Sequence, residues 1–257
     1  LFQAGYVPMA EPSIAGSRAG LYPDPLLPLE APLDLKAERT ESVWVKVSTP
    51  TECAPGDYEG RITIRFPAGM PAIEVPLKLT VYDFALPVTP TFQSLFGMWD
   101  YFFARAFGVE EGSAACKRIA ERYYWFLVER RLTPAEVPVL SLTSPDLGRF
   151  LGDPRVTAFR VPIGYRAIDP KLEKELREML PRLRRESWLK KGIFYCVDEP
   201  AENDYALCRE MRTKCREIAA DIPFLLTITR QPAPALDDSV DIWCPILNEF
   251  SGPRMAG

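Results

Sequence analysis

Hydrophobic and polar positions alternate through the first third of the chain. SVWVKVS (42–48) sets Val43, Val45 and Val47 on one face against Trp44 and Lys46 on the other. GRITIRF (60–66) repeats the pattern, with Ile62, Ile64 and Phe66 opposite Arg61, Thr63 and Arg65. AIEVPLKLTVYDF (72–84) repeats it again through Ile73, Val75, Leu77, Leu79 and Val81. A period of two is the signature of a strand with one buried face. CAPGDY (53–58) and PAGMP (67–71) supply turn chemistry between the runs, so the pattern predicts antiparallel strands of a β-sandwich. Pro76 offers no N–H to a ladder, which marks its run as an edge strand or a bulge.

LPVTPTF (86–92) carries two prolines in four residues and reads as a stiff connection between domains. The expected division is a sandwich over 1–88 and a second domain over 89–257. From Phe92 the period lengthens. LFGMW (95–99), VPVLSL (137–142), TAFRVPIG (157–164), GIFYCVDEP (192–200), IPFLLTIT (222–229) and VDIWCPIL (240–247) are short apolar runs of strand type. Helical spacing falls between them. Cys116, Ile119, Ala120, Tyr123 and Leu127 form one stripe over 113–131; Leu172, Leu176, Met179, Leu180 and Leu183 form another over 170–190. Cys208, Met211, Cys215 and Ile218 form a third over 203–220, with Asn203 as its N-cap. Strands alternating with amphipathic helices predict βαβ units and a parallel sheet. The fold class expected is α/β plus β: an antiparallel β-sandwich followed by a (β/α) TIM-type barrel. Six strands are counted where such a barrel closes with eight, so the barrel reads as incomplete at its C-terminal end.

Charge and composition narrow the chemistry. Hydrophobic residues at 47% and charged residues at 26% are those of a globular domain. A net charge of −4 argues against nucleic acid as partner. Neither an apolar run of membrane-spanning length nor a signal-peptide pattern at Leu1 is present, so no membrane partner is expected. The sequence contains no histidine, which excludes Ser-His-Asp and Cys-His catalysis and imidazole metal sites within this chain. The six cysteines include no CxxC pair, so no zinc site is indicated, and unpaired thiols favour a reducing, cytoplasmic setting. Oligomeric state is not legible.

Acid–base work then falls to carboxylates, tyrosine, lysine or cysteine. In GIFYCVDEP an apolar strand ends in Asp198 and Glu199 and is stopped by Pro200. The carboxyl end of a barrel strand opens onto the active-site face. Paired carboxylates there suit glycoside hydrolysis, in which one protonates the leaving oxygen and the other supports charge at the anomeric centre. One obstacle is geometric: consecutive strand residues point to opposite faces, so the strand must end or bulge near Val197. Pro200 favours an extended Glu199. The competing reading is a solvated acidic loop ahead of a helix. Trp99, Tyr101, Tyr165 and Trp243 fall at or just past strand ends, where aromatic faces can pack on sugar C–H surfaces; the alternative for each is core packing. Asn248, beside Glu249, is a further candidate polar contact. RLRRES (182–187) reads as a solvated helix face.

LYPDPLLPL (21–29), VWVKVSTPTECAPGDYEGRITI (43–64), ALPVTPTF (85–92) leading into LFGMW, and YCVDEP (195–200) together resemble glycoside hydrolase family 123. The resemblance runs in consistent order along nearly the whole chain, with YPDPL, PGDYEG and DEP its most specific pieces. It implies a β-sandwich ahead of a (β/α) barrel and a retaining, substrate-assisted β-N-acetylgalactosaminidase. By the same resemblance Asp198 would orient the substrate's 2-acetamido group, whose carbonyl oxygen attacks the anomeric carbon. Glu199 would protonate the leaving oxygen and then activate water. No metal or organic cofactor is implied, and the partner would be a glycan. A polypeptide lacking the last barrel units would lack part of the pocket wall. The rival readings are a non-catalytic carbohydrate-binding protein and a structural fragment of a larger barrel.

Overall fold

The computed structural model describes residues 1–9, 18–30, 32–38, 40–67, 69–229 and 232–246. The chain divides into two compact units, Leu1–Leu86 and Pro87–Gly257.

Unit 1 is built of two small antiparallel sheets. The first joins β1 (Phe2–Met9), β2 (Gly20–Pro28) and β3 (Val43–Trp44) in the order β2-β1-β3. The second is a hairpin of β4 (Gly56–Ile64) and β5 (Ile73–Val81). Pro76 sits opposite Arg61 in this two-stranded ladder, where β5 is paired on one side only and a missing N–H is tolerated. The alternating runs thus do form β4 and β5, but the run at 42–48 forms only two ladder residues. Strands β1 and β2 went unread because prolines at 8, 23, 25 and 28 obscure the alternation. Val43, Val45, Val47, Ile73 and Val75 are exposed, and no described residue of this unit is fully buried.

Unit 2 contains α1 (Asp100–Phe107), α2 (Ala114–Val128), α3 (Leu147–Leu151), β6 (Phe159–Arg160), α4 (Pro170–Arg185), β7 (Gly192–Ile193), α5 (Tyr205–Ala219), β8 (Leu225–Ile228) and β9 (Ile242–Pro245). Its helices start where local chemistry satisfies free N–H groups. Ser113 accepts from the Cys116 amide ahead of α2, and Asp169 accepts from Lys171 and Leu172 ahead of α4, with Pro170 at the first helical position. Asp204, not Asn203, occupies the N-cap of α5, because a 3-10 turn at Glu202–Asp204 intervenes.

Backbone contacts run from one strand segment to the next in chain order, parallel at every link but the second, where a single hydrogen bond joins Arg160 to Ala135. Phe96 bridges Pro134, Arg160 N donates to Ala135 O at 2.7 Å, and β6 pairs with β7. Phe194 bridges Phe224, and β8 pairs with β9. The second segment therefore lies at Pro134, ahead of the expected 137–142, which follows it as loop. LFGMW contributes a single bridge residue.

The two faces of this ladder differ, as the period of two requires. Phe159, Val161, Phe194, Cys196, Phe224 and Leu226 are buried in the main core with the helix stripes. Ala158, Ile193 and Leu225 form a second, smaller cluster with Leu95, Tyr195 and Ile242. The stripe of α5 is buried as expected, and so is that of α4 apart from the half-buried Leu172; on α2 Cys116 and Ala120 are buried as expected and Ile119 and Leu127 are half-buried, but the face continues one position beyond the expected Tyr123. Tyr124 and Val128 are buried, and Tyr123 is exposed.

Candidate active site

Asp198 and Glu199 lie just beyond the end of the β7 segment, and both are exposed. The last ladder contact of this segment is at Phe194, so regular pairing has ended before the acids. Glu199 has φ +41°, in the left-handed region. The extended conformation expected ahead of Pro200 is therefore not adopted. For a non-glycine residue this costs about 1–3 kcal/mol unless surrounding contacts hold it, and two such contacts are present. The Glu199 amide donates to Thr227 Oγ1 at 3.0 Å, and Pro200 is buried. The left-handed turn removes the obstacle of strict alternation.

The Asp198 carboxylate is oriented through one oxygen. Tyr195 OH donates to Oδ1 at 2.6 Å, and Thr227 Oγ1 donates to the same atom at 2.7 Å. Tyr195 and Thr227 project from neighbouring strands on the face of the smaller cluster, two residues beyond Ile193 and Leu225 respectively. Burial, and next the hydrogen bond to Asp198, push the Tyr195 phenol well above its ordinary range, so it stays a donor. Among the described residues the Glu199 carboxylate has no hydrogen-bond or ion-pair partner, which leaves it open to solvent or ligand.

The loop carrying the acids is tied down on both sides. Arg166 N donates to Cys196 O at 2.8 Å, its guanidinium pairs with Asp204, and Asp204 Oδ2 accepts from Ala201 N at 3.2 Å. A second polar pair lies on the ladder, where Arg160 Nη1 donates to Glu136 Oε1 at 3.2 Å and Met98 N donates to Glu136 Oε2 at 2.6 Å. Burial raises the Glu136 carboxyl despite these donors. An open cleft of about 190 Å³ is lined by Glu136, Arg160, Lys117, Ser141 and Glu175 among others. Asp198 and Glu199 do not line it; they stand on open surface.

The aromatic candidates separate. Trp99 and Tyr101 stack at 6.4 Å between ring centroids, at the start of α1 and after the first ladder segment. Tyr165 is exposed in the loop after β6, near enough to Tyr195 to act on its ionisation. Trp243 is half-buried within β9 and packs against the main core; with Leu226 as its register partner it lies on the helix-covered face, opposite to Thr227. Asn248 lies outside the described residues. Among the described residues no ring contact, hydrogen bond or ion pair joins Trp99 or Tyr101 to the two acids. Sequence reasoning passed over Thr227 and Tyr195 as site residues. The available signal was a polar side chain at the carboxyl end of each of two otherwise apolar strands.

The comparison that bears on class concerns the N-terminal part of the chain and points to the glycoside hydrolases. The particular match is of residues 8–66 to the glycoside hydrolase 123 N-terminal domain, in agreement with the resemblance read from the motifs. No curated protein matches the chain. Among matching solved structures is a β-glucuronidase of Parabacteroides merdae, at 11% identity and a TM-score of 0.34, covering 75% of this chain and 26% of that one. This chain thus spans about a quarter of that structure. No described helix is long and apolar enough to cross a membrane.

Proposed function

We propose that this chain carries the acid pair of a glycosidase acting on terminal N-acetylhexosamine, most specifically a β-N-acetylgalactosaminide, by a retaining, substrate-assisted route. The observation that carries the reading is the unequal treatment of two adjacent carboxylates at a strand's carboxyl end. Asp198 is fixed by Tyr195 and Thr227, while Glu199 is turned aside by its positive φ and left unpartnered. In this reading Asp198 orients and polarises the 2-acetamido group, and its carbonyl oxygen forms the bond to the anomeric carbon. Glu199 gives a proton to the departing oxygen, then takes one from the water that opens the resulting oxazoline. Trp99, Tyr101 and Tyr165 are proposed as substrate contacts; Trp243, on the helix-covered face, serves the core.

The proposed architecture is a β-sandwich over 1–88 followed in the sequence by a (β/α) barrel over 89–257, to which the six strand segments in successive backbone contact would belong. The segment-to-segment contacts in chain order support the barrel, since a singly wound parallel sheet places every strand's carboxyl end on one face.

A paired-substrate assay tests the mechanism. Matched β-galactosides bearing 2-acetamido or 2-hydroxyl groups are expected to differ in kcat/KM by more than about 100-fold in favour of the former, because the internal nucleophile is lost in the latter. The first-formed sugar should retain its anomeric configuration by NMR. Equal turnover of the two substrates, or an inverted product, overturns the reading, and glycan affinity without turnover leaves the binding-protein alternative in its place.

A further inference from the structure

Thr227 bonds to both residues of the acid pair through one hydroxyl. It donates to Asp198 Oδ1 at 2.7 Å and accepts from the Glu199 amide at 3.0 Å. A threonine hydroxyl has one proton, and donating it to Asp198 leaves its lone pairs to accept. Tyr195 likewise donates its one proton to Asp198 Oδ1. Its 3.3 Å approach to Thr227 Oγ1 is therefore a close contact between two donors already committed. Oδ1 holds two donors, and no described residue donates to Oδ2.

We infer that Thr227 is a positioning residue that sets both acids at once, holding Asp198 so that Oδ2 faces the ligand's amide N–H and holding Glu199 in its left-handed turn. The inference rests on the proposed reaction for its catalytic consequence, but the hold itself is a property of the protein alone. Its place in the fold suits the role. Leu225, Leu226 and Ile228 around it are buried, so β8 is anchored, and Thr227 stands on the ladder face that bears Tyr195. Valine keeps the shape and removes the hydroxyl, leaving the Glu199 amide without its acceptor and Asp198 Oδ1 with one donor.

Thr227→Val, Thr227→Ala and Thr227→Ser report on this directly. With an unactivated N-acetylgalactosaminide, Val and Ala should lower kcat by about 10- to 100-fold, the loss of one charge-assisted bond to Asp198 and one neutral bond from the Glu199 amide, while KM changes much less. Ser should restore most of the rate. Hydrogen exchange at the Glu199 amide supplies a readout independent of turnover: slow in wild type and Ser, faster in Val and Ala, with melting curves confirming that each variant folds. Ala stands in should Val fail to fold. An amide equally protected in the folded Val or Ala variant overturns the hold, and wild-type kcat in either overturns the catalytic role. A wild-type protein inert toward every N-acetylhexosaminide removes the proposed reaction, and the exchange measurement then decides the hold by itself.

Discussion

Arg166 and Asp204 bracket the acid-bearing loop from its two sides, and their pairing is sensitive to pH. The hydrogen bond from Arg166 holds the Asp204 carboxyl below its ordinary range. A folded-state value lower than the unfolded one means that the stabilisation is complete above the ordinary aspartate range and is lost as pH falls through the folded value. Asp204→Asn should therefore melt below wild type at pH 6, and the difference should close on approach to pH 3. A difference that stays constant would show that the pair contributes no linked stability. Tyr124 poses a different question. Its ring is fully buried, and its hydroxyl has no partner among the described residues. Tyr124→Phe removes an unsatisfied polar atom and should be neutral or stabilising by about 1 kcal/mol in urea unfolding; a clear destabilisation would reveal a partner for the hydroxyl. At this scale the sequence singles out Asp198 and Glu199 as candidates but not the side chains that hold them. The Thr227 hydroxyl reaches Asp198 across 29 residues of chain, and such pairing depends on strand order rather than on local pattern.

At the scale of elements, helices were legible and strands much less so. Leu176, Met179, Leu180 and Leu183 lie on the buried face of α4, as their spacing requires. On α2 Cys116 and Ala120 are buried as their spacing requires, and only the aromatic position differs, because Tyr123, Tyr124 and Trp125 are adjacent and the sequence alone does not select which faces inward. Hydrophobicity alone points to a strand at 137–142, whereas the ladder contact falls at Pro134. Short apolar runs do not distinguish a strand from the loop that leaves it. Between elements, Asp241 ties α5 to β8. It accepts from Arg212 Nη2 at 2.6 Å and from the Phe224 amide at 2.7 Å. Arg212 is buried, with two further guanidinium nitrogens unpartnered among the described residues. Asp241→Ala would leave that charge without its carboxylate at a cost of about 3 kcal/mol, the lower end for a buried pair because Asp241 itself is partly exposed. Denaturant unfolding at constant m-value measures it, and a loss below about 1 kcal/mol would contradict the account.

For the whole molecule, the change of period near residue 90 carried more information than any single motif. Alternation before it and helical spacing after it match the different construction of the two units, although neither strand lengths nor the β1–β2 pairing could be read through the prolines. The units also differ in how much they bury. The side chains of the main core, among them Tyr124, Phe150, Phe159, Phe194 and Phe224, all belong to Pro87–Gly257, while no described residue of Leu1–Leu86 is fully buried. Hydrogen exchange should accordingly be slow through α5 and β8 and faster through β4 and β5. Equal protection in the two would contradict this ranking.

The central claim is that Glu199 moves the proton, and one kinetic comparison reaches it. Wild type and Glu199→Gln are compared on an unactivated N-acetylgalactosaminide, whose poor leaving group needs acid assistance. The glutamine variant is expected to lose about 10²- to 10⁴-fold in kcat with the fold intact. Hydrolysis at the wild-type rate by the glutamine variant would contradict it.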